Sequence, residues 1–185
     1  MSFVALIDTS AMHLMHDVTQ CGFMDKLMPF VSMLGTGGFI WITIAVLLLF
    51  HKQTRGTGVA MCLAMLFCYL FGNLFLKNFI ARPRPYTLDP NIVLLVPPSI
   101  EPYSFPSGHT MNAVSAASVL MMRKARFAWA AMTLAVLTAF SRIYLMMHFP
   151  SDVIGGAIIG ALSAYICCIA VKRYEQYVPY RKRWF

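Results

Sequence analysis

Charge is scarce in this chain. Asp, Glu, Lys and Arg make up 12% of its 185 residues, about half of the ~25% usual in a soluble domain, while 59% are hydrophobic. That deficit argues against a soluble globular protein and for one held in a membrane. Acid is the rarer sign, with seven acidic residues against fifteen basic ones. Asp89 and Glu101 read as isolated, so no carboxylate cluster for magnesium is expected. The five cysteines include no C-x-x-C pair, which removes the usual signatures of a zinc site or a disulfide framework. The apolar runs lack the period-2 alternation of barrel strands, and internal repeats and low-complexity tracts are also missing.

Five apolar stretches are present, at Phe30–Phe50, Gly58–Leu76, Ser107–Met122, Phe127–Met147 and Val153–Val171. A crossing needs about 20 residues, so the third is marginal without help from its neighbours. With no water in the bilayer core to satisfy backbone groups, each span is expected to be a helix. The fold expected is therefore all-α, an integral-membrane bundle of about five transmembrane helices forming a single domain over 1–185. Residues 1–29 mix apolar positions with Asp8, His13, His16 and Asp17 and have no basic n-region; surface-lying helices fit them better than a cleaved signal peptide. Residues 30–175 form the expected bundle and 176–185 a basic tail. Trp41, Trp129 and Trp184 lie near span ends, as an interfacial belt would place them. Gly156 and Gly160 make a small-x-x-x-small pair suited to close helix packing.

Basic residues orient the bundle. With the N-terminus outside, ten fall on the inner side (Lys52, Arg55, the 123–126 cluster, Lys172, Arg173 and 181–183) and five outside, namely Lys26, Lys77, Arg82, Arg84 and Arg142. This obeys the positive-inside bias and orients the N-terminus outside; the expected location is a bacterial inner (cytoplasmic) membrane, crossed several times. The net charge of +8 then reflects inner anchors near anionic lipid. A nucleic-acid partner is not expected, because the basic residues are split between two faces.

Between the second and third spans, "KNFIARPRPYTLDPNIVLLVPPSIEPYSFP" holds seven of the ten prolines, which makes it a rigid non-helical connector. It begins with Lys77, Arg82 and Arg84 and runs into Ser107, Gly108 and His109. The fourth span brings Ser141, Arg142 and His148 to the same face, and the fifth starts beside Asp152. Singly, these residues have ordinary readings as snorkelling cations, a helix cap and a dipole-matched acid. Together they suit phosphoryl transfer: Lys77, Arg84 and Arg142 for phosphate oxygens, a helix start at Gly108 for backbone N–H donors, and two histidines for nucleophile and proton donor. Asp152, four residues after His148, suits the orienting role of a triad carboxylate.

Three pieces carry a resemblance: K-x6-R-P as Lys77, Arg84 and Pro85; "PSGH" as Pro106 to His109; and S-R-x5-H-x3-D as Ser141, Arg142, His148 and Asp152. In this order they resemble the type-2 phosphatidic acid phosphatase superfamily of membrane lipid phosphatases, over about residues 55–172. The resemblance implies that His148 is a nucleophile forming a phosphohistidine, Asp152 its orienting partner and His109 the general acid. It further implies that Lys77, Arg84, Ser107, Gly108, Arg142 and Ser141 cradle the phosphate, without metal or other cofactor. Many bacterial relatives have six spans, where five are read here. The partners implied are a lipid phosphate and the bilayer; nothing in the pattern sets an oligomeric state.

A vanadate-dependent haloperoxidase shares such a cradle, but those relatives are larger and soluble. A non-catalytic anionic-lipid-binding protein would not require His109, His148 and Asp152 together. The preferred substrate is undecaprenyl diphosphate, with Arg82 meeting a second phosphate, holding the loop or contacting the membrane surface; phosphatidate and phosphatidylglycerophosphate are the alternatives. No role is assigned to His13, His16 or His51.

Overall fold

The computed structural model describes residues 3–178 of the chain. Seven helices organise it: α1 (Phe3–Thr19), α2 (Met24–Leu34), α3 (Phe39–Phe50), α4 (Arg55–Ile80), α5 (Gly108–Met122), α6 (Ala128–Tyr144) and α7 (Pro150–Tyr177). Among the described residues the extended backbone amounts to one isolated bridge, between Pro83 and Tyr103. The expected basic residues Arg181, Lys182 and Arg183, and Trp184, lie outside the described residues.

The chain is an integral-membrane, all-α bundle. By length and composition α4 and α7 can each cross a membrane, and α2 with α3 makes a third crossing if counted together. Helices α5 and α6 are shorter, with 15 and 17 residues, or roughly 22–26 Å at ~1.5 Å per residue. The expected straight span Phe30–Phe50 is instead a pair of helices bent by 42°. Gly37 and Gly38 cause the break: their φ values of +60° and +70° lie in the left-handed region that glycine enters without a Cβ clash.

Helix α5 was marginal as a lipid-facing span because it is the centre of the bundle. It packs against α4, α6 and α7, and Ala113, Ala116 and Ala117 are fully buried. Helix α7 approaches it at backbone distance: a Cβ at Gly156 would stand 2.7 Å from the Ser107 carbonyl, and one at Gly160 2.5 Å from that of Met111. The packing expected of this glycine pair is thus realised within the chain. Gly160→Ala should destabilise the fold by about 1–3 kcal/mol through overpacking, read as a lower melting temperature in detergent.

Trp41 corrects the belt reading. It is 1% exposed, in a core with Ala60, Met61 and Ala64, whereas Trp129 is exposed. Helix α4 contains a wider π-helical stretch at Cys68–Leu76, followed by a turn that carries Lys77. Helix α6 stops at Tyr144, three residues before the expected end, because Met146 adopts a φ of +55°. His148 therefore sits on a buried, non-helical corner rather than on the fourth span, and every residue from Ser141 to Phe149 is buried. The corner ends where Pro150 starts α7, a position at which the fixed proline φ suits a helix.

Candidate active site

A cavity of about 790 Å³ opens at the end of the bundle where α4 and α6 finish and α5 begins. Its wall includes Lys77, Arg84, Gly108, His109, Arg142 and His148, brought together from three separated stretches of chain. The α2–α3 break closes one side, and residues 96–101 of the proline-rich connector close another.

The three cations are buried and differently held. Arg84 donates from Nε to the Glu101 carbonyl at 2.8 Å and from Nη1 to the Met147 carbonyl at 3.1 Å, and Nη1 lies 3.3 Å from His148 Nε2. Arg142 donates from Nη1 to the Ser32 hydroxyl, while its Nε has no hydrogen-bond partner among the described residues. Lys77 pairs with the Glu101 carboxylate. Glu101 is thus not the isolated acid expected, since the connector folds it back onto the cradle; Asp89 likewise lies 3.8 Å from His13 Nε2. His16, left without a role, places Nδ1 2.9 Å from the Tyr144 carbonyl, tying α1 to α6.

His148 turns Nε2 toward Arg84 and Nδ1 toward Asp152, whose Oδ2 is 3.7 Å away. That separation is too long for a hydrogen bond, and Nδ1 has no hydrogen-bond partner among the described residues; the pair becomes an ion pair only when the ring is protonated or phosphorylated. Burial pushes the His148 pKa well below its ordinary value, and the neighbouring Arg142, Arg84 and Lys77 push it further down. The imidazole is therefore neutral near pH 7, the form that has a free lone pair. Asp152 is fully buried and caps the first turn of α7, accepting the Phe149 N–H at 2.9 Å.

Arg82 does not face the cavity. Its Nη1 donates to Asp152 Oδ1 at 2.7 Å and its Nη2 to Asp8 Oδ2 at 2.7 Å, so of the three readings raised by the sequence the structure supports the one in which it holds the loop. Ser107 and Ser141 are buried and do not form the cavity wall. The Ser107 hydroxyl meets that of Thr110 at 3.0 Å, and its N–H donates to the Asp152 carbonyl at 3.1 Å. The Ser141 hydroxyl donates to the Thr138 carbonyl within its own helix at 2.7 Å. Gly108 is tightly placed: a Cβ there would stand 2.9 Å from Asn73 Oδ1.

Sequence reasoning missed Ser32, Asn73, Glu101 and Asn112 on the wall. The side-chain oxygens of Asn73 and Asn112 are buried without partners among the described residues. Their signal was position, because Asn73 lies one turn before Lys77 and Asn112 one turn after His109 in otherwise apolar helices.

The sequence matches the family described as the PAP2 superfamily over residues 57–175. Among curated proteins, an undecaprenyl-diphosphatase of Sulfolobus acidocaldarius is 30% identical over 80% of this chain and 70% of its own length. Phosphatidylglycerophosphatase B of Bacillus subtilis is 31% identical over 82% and 71% respectively. The crystal structure of a transmembrane PAP2-type phosphatidylglycerolphosphate phosphatase from Bacillus subtilis aligns with a TM-score of 0.74 at 27% identity, covering 99% of this chain and 90% of that one.

Proposed function

The chain belongs to the PAP2 superfamily and is a lipid phosphatase, and from that premise we propose that it cleaves its substrate through a phosphohistidine on His148, at the extracytoplasmic face of a cytoplasmic membrane. The observation that carries this reading is the single cavity in which two histidines and three buried cations meet. The phosphate oxygens lie among Lys77, Arg84 and Arg142, whose combined positive charge stabilises the crowded anion of the transition state. N–H groups at the start of α5, beside Gly108, add donors at the positive end of the helix dipole.

His148 Nε2 attacks phosphorus as the bond to the leaving lipid oxygen breaks, and His109 gives that oxygen its proton. Asp152 stabilises the positive charge that appears on the His148 ring. Water then attacks the phosphohistidine, His109 takes its proton, the P–N bond breaks, and inorganic phosphate leaves. Cationic side chains, with no metal ion, hold the charge throughout. The basic-residue asymmetry of the spans supports the orientation.

Undecaprenyl diphosphate is the substrate we favour, supported by the Sulfolobus acidocaldarius relative; the Bacillus subtilis phosphatase keeps phosphatidylglycerophosphate as the second reading. With Arg82 committed to Asp152 and Asp8, the side-chain cations left to hold a diphosphate are Lys77, Arg84 and Arg142. The test is phosphate release in detergent from undecaprenyl diphosphate, phosphatidylglycerophosphate and phosphatidate, each with excess EDTA. Turnover should persist in EDTA and be fastest on the diphosphate. Loss on chelation would sink the mechanism, and a faster monophosphate reaction would sink the substrate assignment.

A further inference from the structure

Behind His148, on the side away from the cavity, lies a charged group that the phosphate cradle does not use. Asp152 Oδ2 faces the imidazole and Oδ1 accepts Arg82 Nη1 at 2.7 Å. The other guanidinium nitrogen, Nη2, reaches Asp8 Oδ2 at 2.7 Å. Asp8 is itself 5% exposed, and its Oδ1 accepts the Ser151 N–H at 3.0 Å. Ser151 Oγ also accepts from Arg82 Nη1 at 2.6 Å, and the guanidinium lies over the Phe149 ring, 4.1 Å from its centroid. Asp8 belongs to α1, before the family-matched segment at 57–175.

The charges make this arrangement more than a tether. If Arg82 and Asp152 stood alone, the cation would cancel the carboxylate that His148 needs when its ring becomes positive. With Asp8 present, two carboxylates share one guanidinium, and the group as a whole retains one negative charge facing the imidazole. Both carboxylates are buried, and charge differences are felt more strongly there than in bulk water. Building on the phosphohistidine reading above, we propose that Asp8 is a positioning residue for the reaction: acting through Arg82, it holds the Asp152 carboxylate in place and keeps its charge available to His148. A helix outside the shared family segment would thus complete the catalytic charge balance.

The test uses the full chain in detergent, with kcat and KM measured for phosphate release from the lipid that the wild type turns over fastest. Asp8→Asn keeps the shape and removes the charge. It should lower kcat about tenfold and leave KM within about twofold, because the cradle cations are untouched. In an Asp152→Asn background the same change should cost less than about twofold, since its route to His148 is already cut. An unchanged kcat in Asp8→Asn, or losses that multiply in the double variant, would overturn the proposal. Arg82→Lys tests it independently of any folding defect in the Asp8 variant: it keeps the charge but loses the planar fork that spans both carboxylates. Its kcat should fall similarly, and a wild-type kcat there would also overturn the proposal. A wild-type chain that releases no lipid phosphate would overturn the parent reading as well, whereas normal wild-type turnover with multiplying losses removes only the role of Asp8.

Discussion

Replacing His148 with alanine should lower kcat for lipid phosphate release by about 10⁴-fold or more, because loss of a covalent nucleophile closes the pathway instead of slowing it. Binding of the lipid should survive, since Lys77 and Arg142 are held by Glu101 and Ser32 and Arg84 keeps its bonds to the Glu101 and Met147 carbonyls when the imidazole is gone. Wild-type turnover with none in the variant is the expected pair of results; bound lipid with no turnover in either protein would leave a binding module instead. The pH profile offers a second reading of the same group. His148 is fully buried and surrounded by cations that hold its pKa well below the ordinary 6.5, so its loss of reactivity by protonation must occur at more acid pH. The acid limb of kcat/KM assigned to His148 should therefore lie below pH 6.5, and a limb above it would contradict the electrostatics. Stability follows the same sign: as pH falls below the ordinary value, the unfolded chain takes up a proton that the folded one refuses, and the fold weakens.

Hydropathy made α4 and α7 legible because a bilayer crossing is, to first order, a matter of length and apolar composition. It could not show the break between α2 and α3, although Gly35, Gly37 and Gly38 were in plain view, since glycine is equally at home inside a packed membrane helix. The early end of α6 had a clearer signal. Pro150 disfavours helix in the residue before it, yet the apolar run through Leu145, Met146 and Met147 masked that signal. The residues that the structure brings to one cavity, from Lys77 to His148, were legible because local spacing sets which end of a span each occupies. Ser107 and Ser141 shared the spacing, but their hydroxyls meet nearby helix partners, a choice of rotamer that no spacing reveals. Glu101 and Asp8 were not legible, because their partners lie 24 and 74 residues away, and only the folded connector and the docked α1 helix bring them close.

His109→Ala should cost about 10²–10⁴-fold on a lipid monophosphate, the range general acid catalysis supplies. His109 stands in the first turn of α5 with Nε2 buried and unpaired among the described residues. Its ring packs so closely on the α2–α3 break that a Cβ at Gly35 would stand 3.2 Å from its Cδ2. A ring so held is aimed by its surroundings rather than by a hydrogen bond of its own, which leaves Nε2 free for the leaving oxygen. The size of the loss should then depend on what leaves. An alcohol departing from phosphatidylglycerophosphate is a poor anion and needs the proton as the bond breaks. A lipid phosphate departing from undecaprenyl diphosphate is already a stable anion and needs it less. The variant should therefore lose far more activity on the monophosphate than on the diphosphate, and an aryl phosphate with an acidic phenol as leaving group should be affected least. Equal losses on all three would mean that His109 binds phosphate without transferring a proton, and the acid would have to be sought elsewhere on the cavity wall.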